Sequence, residues 1–314
     1  MSFILLGILN SQAAGGGGGF GYIAGGYNRT LGPSPVVDKF LFPSDTRSSL
    51  ATGMSTGRYF ACGMSDTNVA GYVAGGWDSG YSSNSTVDKF SFSDDSRTTL
   101  GTGLSATRNS QVGLSNPAVA GYAAGGFTVS TTGIDKFAFP SDTRTTIGAT
   151  LPIIIGGGGG IDNFGVASYV AGGGDPAGGT RYDTYYKLIY PAETISTLVA
   201  TLSVNKASVG GFSNSGTAGY AGGGNTTTAI VNKLVFATDT SSALATGLSQ
   251  ARGGPAGIAN TAVAGYLGGG QTTGPGGQEF DTVDKFAFPS DTRTALAIGL
   301  SGVRFAPSGM SNGG

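Results

Sequence analysis

Residues 69–76 read Val-Ala-Gly-Tyr-Val-Ala-Gly-Gly, and related versions of this stretch return five more times along the 314-residue chain. The tyrosine recurs at spacings of 50, 50, 47, 51 and 46 residues, at Tyr22, Tyr72, Tyr122, Tyr169, Tyr220 and Tyr266. Self-similarity at a nearly fixed period of this length is typical of repeat folds. The sequence therefore predicts six copies of one structural unit.

Each copy carries the pattern of four short strands. The apolar run 69–74 ends at a Gly pair, and 87–92, which opens with Val-Asp-Lys-Phe, is rich in β-branched and aromatic residues; both patterns predict strands. A Ser-Asp-Thr-Arg motif at 44–47, 141–144 and 290–293, with looser copies in the other repeats, predicts a hairpin turn into a further strand. A segment near 59–64, directly after an arginine, supplies the fourth. We therefore predict an all-β, six-bladed β-propeller with four antiparallel strands per blade.

The two ends of the chain indicate how the ring closes. When Arg304 is aligned with Arg58, residues 305–314 fall on 59–68, and the next position of the repeat is Gly19. The C-terminal strand is therefore expected to pair with the N-terminal blade, which removes the exposed edges of an open stack. A solenoid is the alternative, but its atypical polar end repeats are missing. We divide the chain into 1–18 and a propeller at 19–314.

Composition narrows the classes of function. The chain has no histidine, and Cys62 is its only cysteine. An intrachain disulfide, a Cys/His metal site and a Ser–His triad are excluded, which leaves paired carboxylates as the general acid/base option. A net charge of -1 gives no basic footprint for nucleic acid, and no apolar run is long enough to span a bilayer. We expect no catalytic residue, cofactor, metal, nucleic-acid partner or membrane insertion.

The order of the motifs resembles the Kelch repeat over residues 19–314. The double glycine of that family is matched in every copy, at 25–26, 75–76, 125–126, 172–173, 223–224 and 269–270. The tryptophan that the family carries near its last strand is absent from every copy, since the sole Trp77 lies elsewhere. The resemblance implies that the strand after the arginine is innermost. It also implies that partners bind the face that carries the loops after the double glycines.

Five cations each precede the strand that the resemblance places innermost: Arg58, Arg108, Lys206, Arg252 and Arg304. The sixth copy has Ile155 at this position. The resemblance implies that the five side chains ring the mouth of the central channel as candidate ligand-binding residues. The alternative is structural, because most charged residues occupy repeat positions where they can pair within turns and between blades.

The loops after the double glycines differ most among the copies. The step from the tyrosine to the aligned Asp position is 16, 16, 13, 17, 12 and 18 residues, whereas the following segment is nearly constant. Such variation on one edge of a scaffold is typical of a binding face, although drift in unconstrained loops gives the same pattern. Aromatic rings beside polar groups suit sugar or peptide surfaces. The candidate loop residues are Tyr27, Arg29, Trp77, Tyr81, Phe127, Tyr182 and Phe280.

Residues 1–18 are not needed to close the ring. An apolar strand-like segment, followed by five glycines, indicates an anchor and a flexible leash. Its opening is similar to the N-termini of tailed-bacteriophage virion proteins, which implies docking on other virion or tail proteins. The alternative is a strand packed on this same propeller. The candidate anchor residues are Phe3, Ile4, Leu5, Leu6, Ile8 and Leu9.

These features together predict a non-enzymatic adhesin of a phage virion or tail, assembled in the host cytoplasm. Its loop face is expected to recognise a host surface glycan or protein, with avidity from several copies per particle. The hypothesis also allows homo-oligomers. A structural or decoration protein of a virion and an intracellular Kelch-type interaction scaffold remain the alternatives.

Overall fold

The structure, a computed structural model, describes residues 19–224, 228–272 and 277–313. Six four-stranded antiparallel sheets form the blades of a β-propeller, which confirms the predicted fold class. The predicted anchor residues Phe3, Ile4, Leu5, Leu6, Ile8 and Leu9 lie outside the described residues. Across the described ranges, no helix is long and apolar enough to cross a membrane.

The four strands of each blade run outward from the central axis, and we number the blades in chain order. The inner strands of blades 1 to 6 are Ser308–Ser311, Cys62–Asp66, Val112–Asn116, Gly159–Asn163, Gly210–Asn214 and Ala256–Asn260. The second strands are Phe20–Ala24, Ala70–Ala74, Ala120–Ala124, Ala167–Gly174, Ala218–Gly222 and Ala264–Gly268. The third strands are Val37–Leu41, Val87–Ser91, Ile134–Ala138, Arg181–Ile189, Val231–Val235 and Val283–Ala287. The outer strands are Thr46–Ser49, Arg97–Thr99, Thr143–Thr146, Thr194–Thr201, Thr240–Ala243 and Thr292–Ala295. Two pairs of two-residue strands, Tyr27–Asn28 with Gly32–Pro33 and Arg108–Asn109 with Phe127–Thr128, lie outside the blades.

Blade 1 is built from both ends of the chain. Its inner strand, Ser308–Ser311, pairs antiparallel with Phe20–Ala24, with Ser308 opposite Ala24 and Ser311 opposite Gly21. The predicted closure of the ring by the C-terminal strand is therefore confirmed. Blade 1 therefore has the same four strands as the other blades, and the inner side of Phe20–Ala24 is not left as an exposed edge.

The inner strands pack against one another at a closed ring of six glycines. A Cβ atom on any of these glycines would overlap the carbonyl oxygen of the next glycine around the ring. Gly63 contacts Gly309, and Gly309 contacts Gly257. The ring of glycines therefore continues without a break through blade 1, where the two chain ends pair. Only glycine permits backbones to approach this closely. The six ring members are Gly63, Gly113, Gly160, Gly211, Gly257 and Gly309.

Apolar side chains fill the spaces between neighbouring blades. Between blades 2 and 3, for example, Tyr72 and Val87 pack with Phe137 and Phe139, and the rings of Tyr72 and Phe139 stack with centroids 5.1 Å apart. All residues of every second strand are buried, because each of these strands is covered on both faces. This is why the strands are apolar on both sides and do not alternate.

Three recurring polar residues form a clamp between adjacent blades. In blade 2 the Tyr72 hydroxyl donates to Asp142 Oδ1 over 2.7 Å, and Lys89 Nζ lies 2.7 Å from Asp142 Oδ2 in the hairpin of blade 3. The last clamp joins Tyr266 and Lys285 of blade 6 to Asp45 of blade 1, at 2.8 and 2.7 Å. The clamp acceptors are Asp45, Asp95, Asp142, Glu193, Asp239 and Asp291. The tyrosine, lysine and hairpin motifs therefore recur together because they bind one another, which confirms the prediction that charges pair between blades.

Candidate functional site

The loop face is the face of the propeller on which each chain segment following a Gly pair emerges. The segments are 27–36, 77–86, 127–133, 174–180, 228–230, 271–272 and 277–282. The residues that lead into each inner strand reach the same face, because Tyr59 bridges to Trp77 and Phe305 bridges to Tyr27. Backbone hydrogen bonds link neighbouring blades at the channel mouth, from Phe60 N to Ala306 O at 3.0 Å and from Ser110 N to Phe60 O at 2.8 Å. The loops are thus presented by a rigid frame.

The five candidate cations lie beneath this face, in the interior. Arg58 is fully buried, and its Nη2 lies 2.9 Å from Asp88 Oδ2 on the third strand of the same blade. Corresponding ion pairs join Arg108 to Asp135, Arg252 to Asp284 and Arg304 to Asp38. Lys206 is also fully buried. The prediction that Arg58, Arg108, Lys206, Arg252 and Arg304 form an accessible cationic ring is therefore wrong, because their side chains are buried and occupied by partners within the blade.

Blade 4 indicates that the arginines balance a buried charge, whereas blade 5 keeps a buried cation without a carboxylate. Where blade 4 replaces the Asp by Tyr186, Ile155 stands in place of the inner arginine and Ile195 in place of the hairpin arginine. In blade 5 the Asp is replaced by Asn232, and the cation is Lys206. The Lys206 ammonium donates to Ala221 O at 2.9 Å and to Asn232 Oδ1 at 3.3 Å. With no carboxylate beside it, burial lowers the pKa of Lys206 to about 7.

Six aromatic side chains gather where blades 1 and 2 meet the channel mouth. We call them the aromatic patch: Tyr27, Tyr59, Phe60, Trp77, Tyr81 and Phe305. The ring centroids of Tyr27 and Tyr59 are 4.8 Å apart, and those of Tyr59 and Trp77 are 5.5 Å apart. Phe60 stands edge-on to Trp77 at 5.8 Å and to Phe305 at 5.9 Å. Tyr59 is buried beneath the patch, whereas the other members retain accessible surface.

Hydroxyl groups and a folded loop form one edge of the aromatic patch. The Tyr27 and Tyr81 hydroxyls approach to 3.4 Å, and the Tyr81 side chain is 67% exposed. The loop that carries Tyr81 is organised by Asp78, whose carboxylate accepts from Gly80 N at 2.9 Å and from Ser82 N at 3.1 Å. Hydrogen bonds to the charged form, that from the Ser82 amide foremost, lower the pKa of Asp78. Tyr81 is thus held in place by its own loop.

The aromatic patch breaks the internal symmetry of the propeller. The bridged pairs Tyr27–Phe305 and Trp77–Tyr59 correspond to Phe127–Asn109 in blade 3, Gly174–Gly156 in blade 4 and Gln271–Gly253 in blade 6. Paired aromatic residues therefore occur in blades 1 and 2 but in none of these three. The counterparts of Phe60 are small: Ser110, Gly157, Ser208, Gly254 and Ala306.

Across the described ranges, no ring contact joins Phe127, Tyr182 or Phe280 to the aromatic patch, and Arg29 lies near the patch. The Arg29 backbone amide donates to Glu279 at 2.9 Å, and its guanidinium donates to Gln271 at 2.9 Å. Phe127 covers Gly156, and Tyr182 packs against an apolar core cluster. Phe280 donates its backbone amide to Gly270 O. Of the predicted residues, only Tyr27, Trp77 and Tyr81 belong to the aromatic patch.

Three members of this patch, Tyr59, Phe60 and Phe305, are not among the site residues predicted from the sequence. A signal for them was present, because Phe60 is the one bulky residue in an otherwise small column of the repeat. Tyr59 and Phe305 were missed because they precede strands and resemble ordinary core residues in the sequence. Their place in the site depends on the bridges to Trp77 and Tyr27, which are contacts between distant segments.

Glycine and serine are the commonest residues in the lining of the central channel. A cavity of about 160 Å³ is lined by the glycine ring and by the residues two positions further along the inner strands. Four blades have serine there, Ser65, Ser115, Ser213 and Ser311, and blade 6 has Ala259. Blade 4 has Asp162, whose enclosure raises its pKa to about 6. Asp162 Oδ1 accepts from Ser115 N at 3.0 Å and from Ser168 Oγ at 2.6 Å. Within the described ranges, no three His, Cys, Asp or Glu residues converge as a metal site would require.

Comparison with known proteins supplies no further assignment. No protein-family model matches the chain, and no curated protein matches it. Any proposal about function therefore depends on the fold and on the aromatic patch.

Proposed function

We propose that this protein is a non-enzymatic binding module that recognises its partner through the loop face. The observation that carries the proposal is the aromatic patch, which is confined to one sector of a rigid six-fold frame. Drift in loop length alone would not gather bridged aromatic pairs in two adjacent blades. A cluster of partly exposed rings on a surface is typical of a recognition site.

The biological setting in this proposal is a phage virion or tail, with a Kelch-like propeller as the adhesive part. The support is the likeness of the apolar start of the chain, Phe3 to Leu9, to virion proteins, and the double glycine of each repeat. Residues 1–18 would attach the propeller to other virion or tail proteins. The loop face would then meet a glycan or a protein on the host surface, and copies on one particle would add avidity.

A tagging experiment on the full chain tests which face binds. Cys62 is buried, and burial raises the pKa of its thiol to about 12, so a maleimide should label only an introduced cysteine. Ser79→Cys and Ala177→Cys place the label on exposed loop-face positions of blades 2 and 4. Ser290→Cys, in an exposed hairpin on the opposite face, is the matched control. Each protein would carry a polyethylene glycol maleimide and be assayed on a glycan array and on intact bacterial cells.

We expect a label on the loop face to block binding and the label at position 290 to leave binding unchanged. The reverse pattern would contradict the proposal. An unlabelled chain that binds no cell and no glycan, yet assembles onto particles through residues 1–18, would establish the structural role in its place.

A further inference from the structure

We infer that the aromatic patch is a binding site for a neutral sugar residue, with Phe60 and Trp77 as the stacking surface and the Tyr27 and Tyr81 hydroxyls as the polar edge. This inference rests on the proposed binding function and adds the location of the site and the chemical class of the ligand.

The backbone of Phe60 is the first argument. Phe60 has a φ of 52°, in the left-handed region that a bulky side chain rarely adopts. The corresponding positions at the channel mouth share this positive φ and the same backbone hydrogen bonds, but they hold the small residues Ser, Gly or Ala. Closing the ring therefore does not require phenylalanine. The left-handed backbone is thus a feature of the frame, whereas the bulky side chain that adds to its steric cost is particular to blade 2 and is available for a role other than closing the ring.

The layout of the aromatic patch is the second argument. The Phe60 and Trp77 rings lie at an interplanar angle of 88° with centroids 5.8 Å apart, which leaves a corner with two apolar walls. Tyr27 and Tyr81 bring two hydroxyls within 3.4 Å of each other at the edge. A pyranose ring has a face of C–H groups and a rim of hydroxyls, so it matches both features. Its C–H face can pack on the rings while its rim exchanges hydrogen bonds with the hydroxyls.

The charges around the patch favour a neutral sugar. Asp78 is ionised beside Trp77, with its carboxylate held by Gly80 N, Ser82 N and Asn84 Nδ2. Glu279 lies next to Tyr27, and the Arg29 side chain near it is engaged, with Nε 3.6 Å from the Glu279 carboxylate. An acidic sugar would meet the Asp78 carboxylate with no free cation on the patch to offset it. Repulsion between like charges therefore selects against sialylated ligands.

The sole tryptophan makes this site directly observable. Trp77 is the only tryptophan in the chain, so its fluorescence emission reports on the patch alone. The probes are neutral gluco-, galacto- and manno-oligosaccharides and N-acetylglucosamine oligomers, with sialyllactose as the acidic comparison. We expect at least one neutral oligosaccharide to shift the emission of the full-length protein saturably.

Two substitutions and a control locate the binding. Phe60→Gly removes the stacking surface but keeps a residue suited to the left-handed backbone, as Gly157 and Gly254 are at the equivalent positions, so the variant should still fold. Loss of this aromatic contact should weaken binding about tenfold. Tyr81→Phe removes one exposed hydroxyl and should weaken binding several-fold. Val129→Ala changes an exposed residue of the blade 3 loop and should leave the affinity unchanged.

The outcomes separate this inference from the proposed function. No shift with any neutral oligosaccharide at millimolar concentration, a stronger response to sialyllactose, or unchanged binding by both Phe60→Gly and Tyr81→Phe would each overturn the sugar site. If loop-face labels still block cell binding in those cases, the binding module stands without it. Binding that maps to the opposite face would refute both.

Discussion

The buried ion pair of blade 2 gives a sharp test of why arginines recur before the inner strands. Asp88 and Arg58 are both fully buried, and Asp88 Oδ2 also accepts from Ser55 N at 3.0 Å. Its Oδ1 accepts from Thr99 Oγ1 at 2.7 Å and lies 3.5 Å from Arg97 Nη1. Burial opposes ionisation of Asp88, but the hydrogen bond from Thr99 and the charge of Arg58 outweigh it and lower its pKa. The pair is therefore ionised at neutral pH.

Asp88→Asn removes the negative charge and leaves the guanidinium of Arg58 buried without a counter-ion. The NH2 group of the introduced amide would also face the N–H and O–H donors that now surround the carboxylate. Breaking a buried pair in this way costs about 3–5 kcal/mol, so the melting temperature should fall by about 5–8 °C for a chain of this size. Thermal unfolding followed by circular dichroism at pH 7 measures the shift.

Blade 4 supplies the compensated variant. Arg58→Ile with Asp88→Tyr and Arg97→Ile copies the uncharged set formed by Ile155, Tyr186 and Ile195. It should recover most of the lost stability, because no charge is left buried alone. Asp94→Asn, an exposed change in the same blade, is the control and should not shift the transition. If Asp88→Asn melts at the same temperature as the wild-type protein, the pair is not structural and the arginine would again be a candidate for ligand binding. A triple variant that melts below Asp88→Asn would show that the residues of blade 4 do not replace the ion pair.

Three further results are expected from the same structure. Gly113→Ala should lower the soluble yield and the melting temperature sharply, because its Cβ would overlap the Gly63 carbonyl. Gly101→Ala, with open space around it, is the control and should behave as wild type. Equal behaviour of the two variants would refute the packing role of the glycine ring. Asp142→Asn keeps a residue that tolerates the φ of 57° but loses the Lys89 ion pair. The free energy of unfolding, measured with denaturant, should fall by about 1 kcal/mol, and by less at high salt. A loss of stability that does not change with salt would contradict the ionic part of the clamp. Lys206 has a pKa of about 7 in the folded protein and about 10.4 unfolded, so the unfolded state binds more protons between these values and the free energy of unfolding should rise from about pH 7 to about pH 9. Lys206→Met should flatten that rise, and a pH profile identical to that of the wild-type protein would show that Lys206 does not titrate in this range.

The sequence was sufficient for the blade count and for the closure of the ring. Both follow from the repeat period and from the offset between the termini. Neither of these depends on the direction in which a side chain points. The pairing of Ser308 with Ala24 was therefore predictable. The Kelch resemblance also gave the correct inner strand.

The direction in which the side chains of Arg58 and its counterparts point was not predictable from the repeat alone. A residue just before an inner strand can point into the channel or back between the sheets, and both choices give the same recurrence. The deciding signal lay in the exceptions, since Ile155 and Tyr186 change together with Ile195. The aromatic patch was only partly predictable, because Phe60 joins Trp77 and Phe305 through contacts between blades.

The clamps and the closing strand also determine how the molecule would bear tension. Force applied through the segment that precedes Phe20 enters the second strand of blade 1, which is hydrogen-bonded to Ser308–Ser311 on one side and to Val37–Leu41 on the other. Such a load must shear two ladders together, since neither neighbour can be peeled away first. Because the clamps join every blade to the next, the ring would distribute the strain to both neighbours of blade 1 and onward around the propeller.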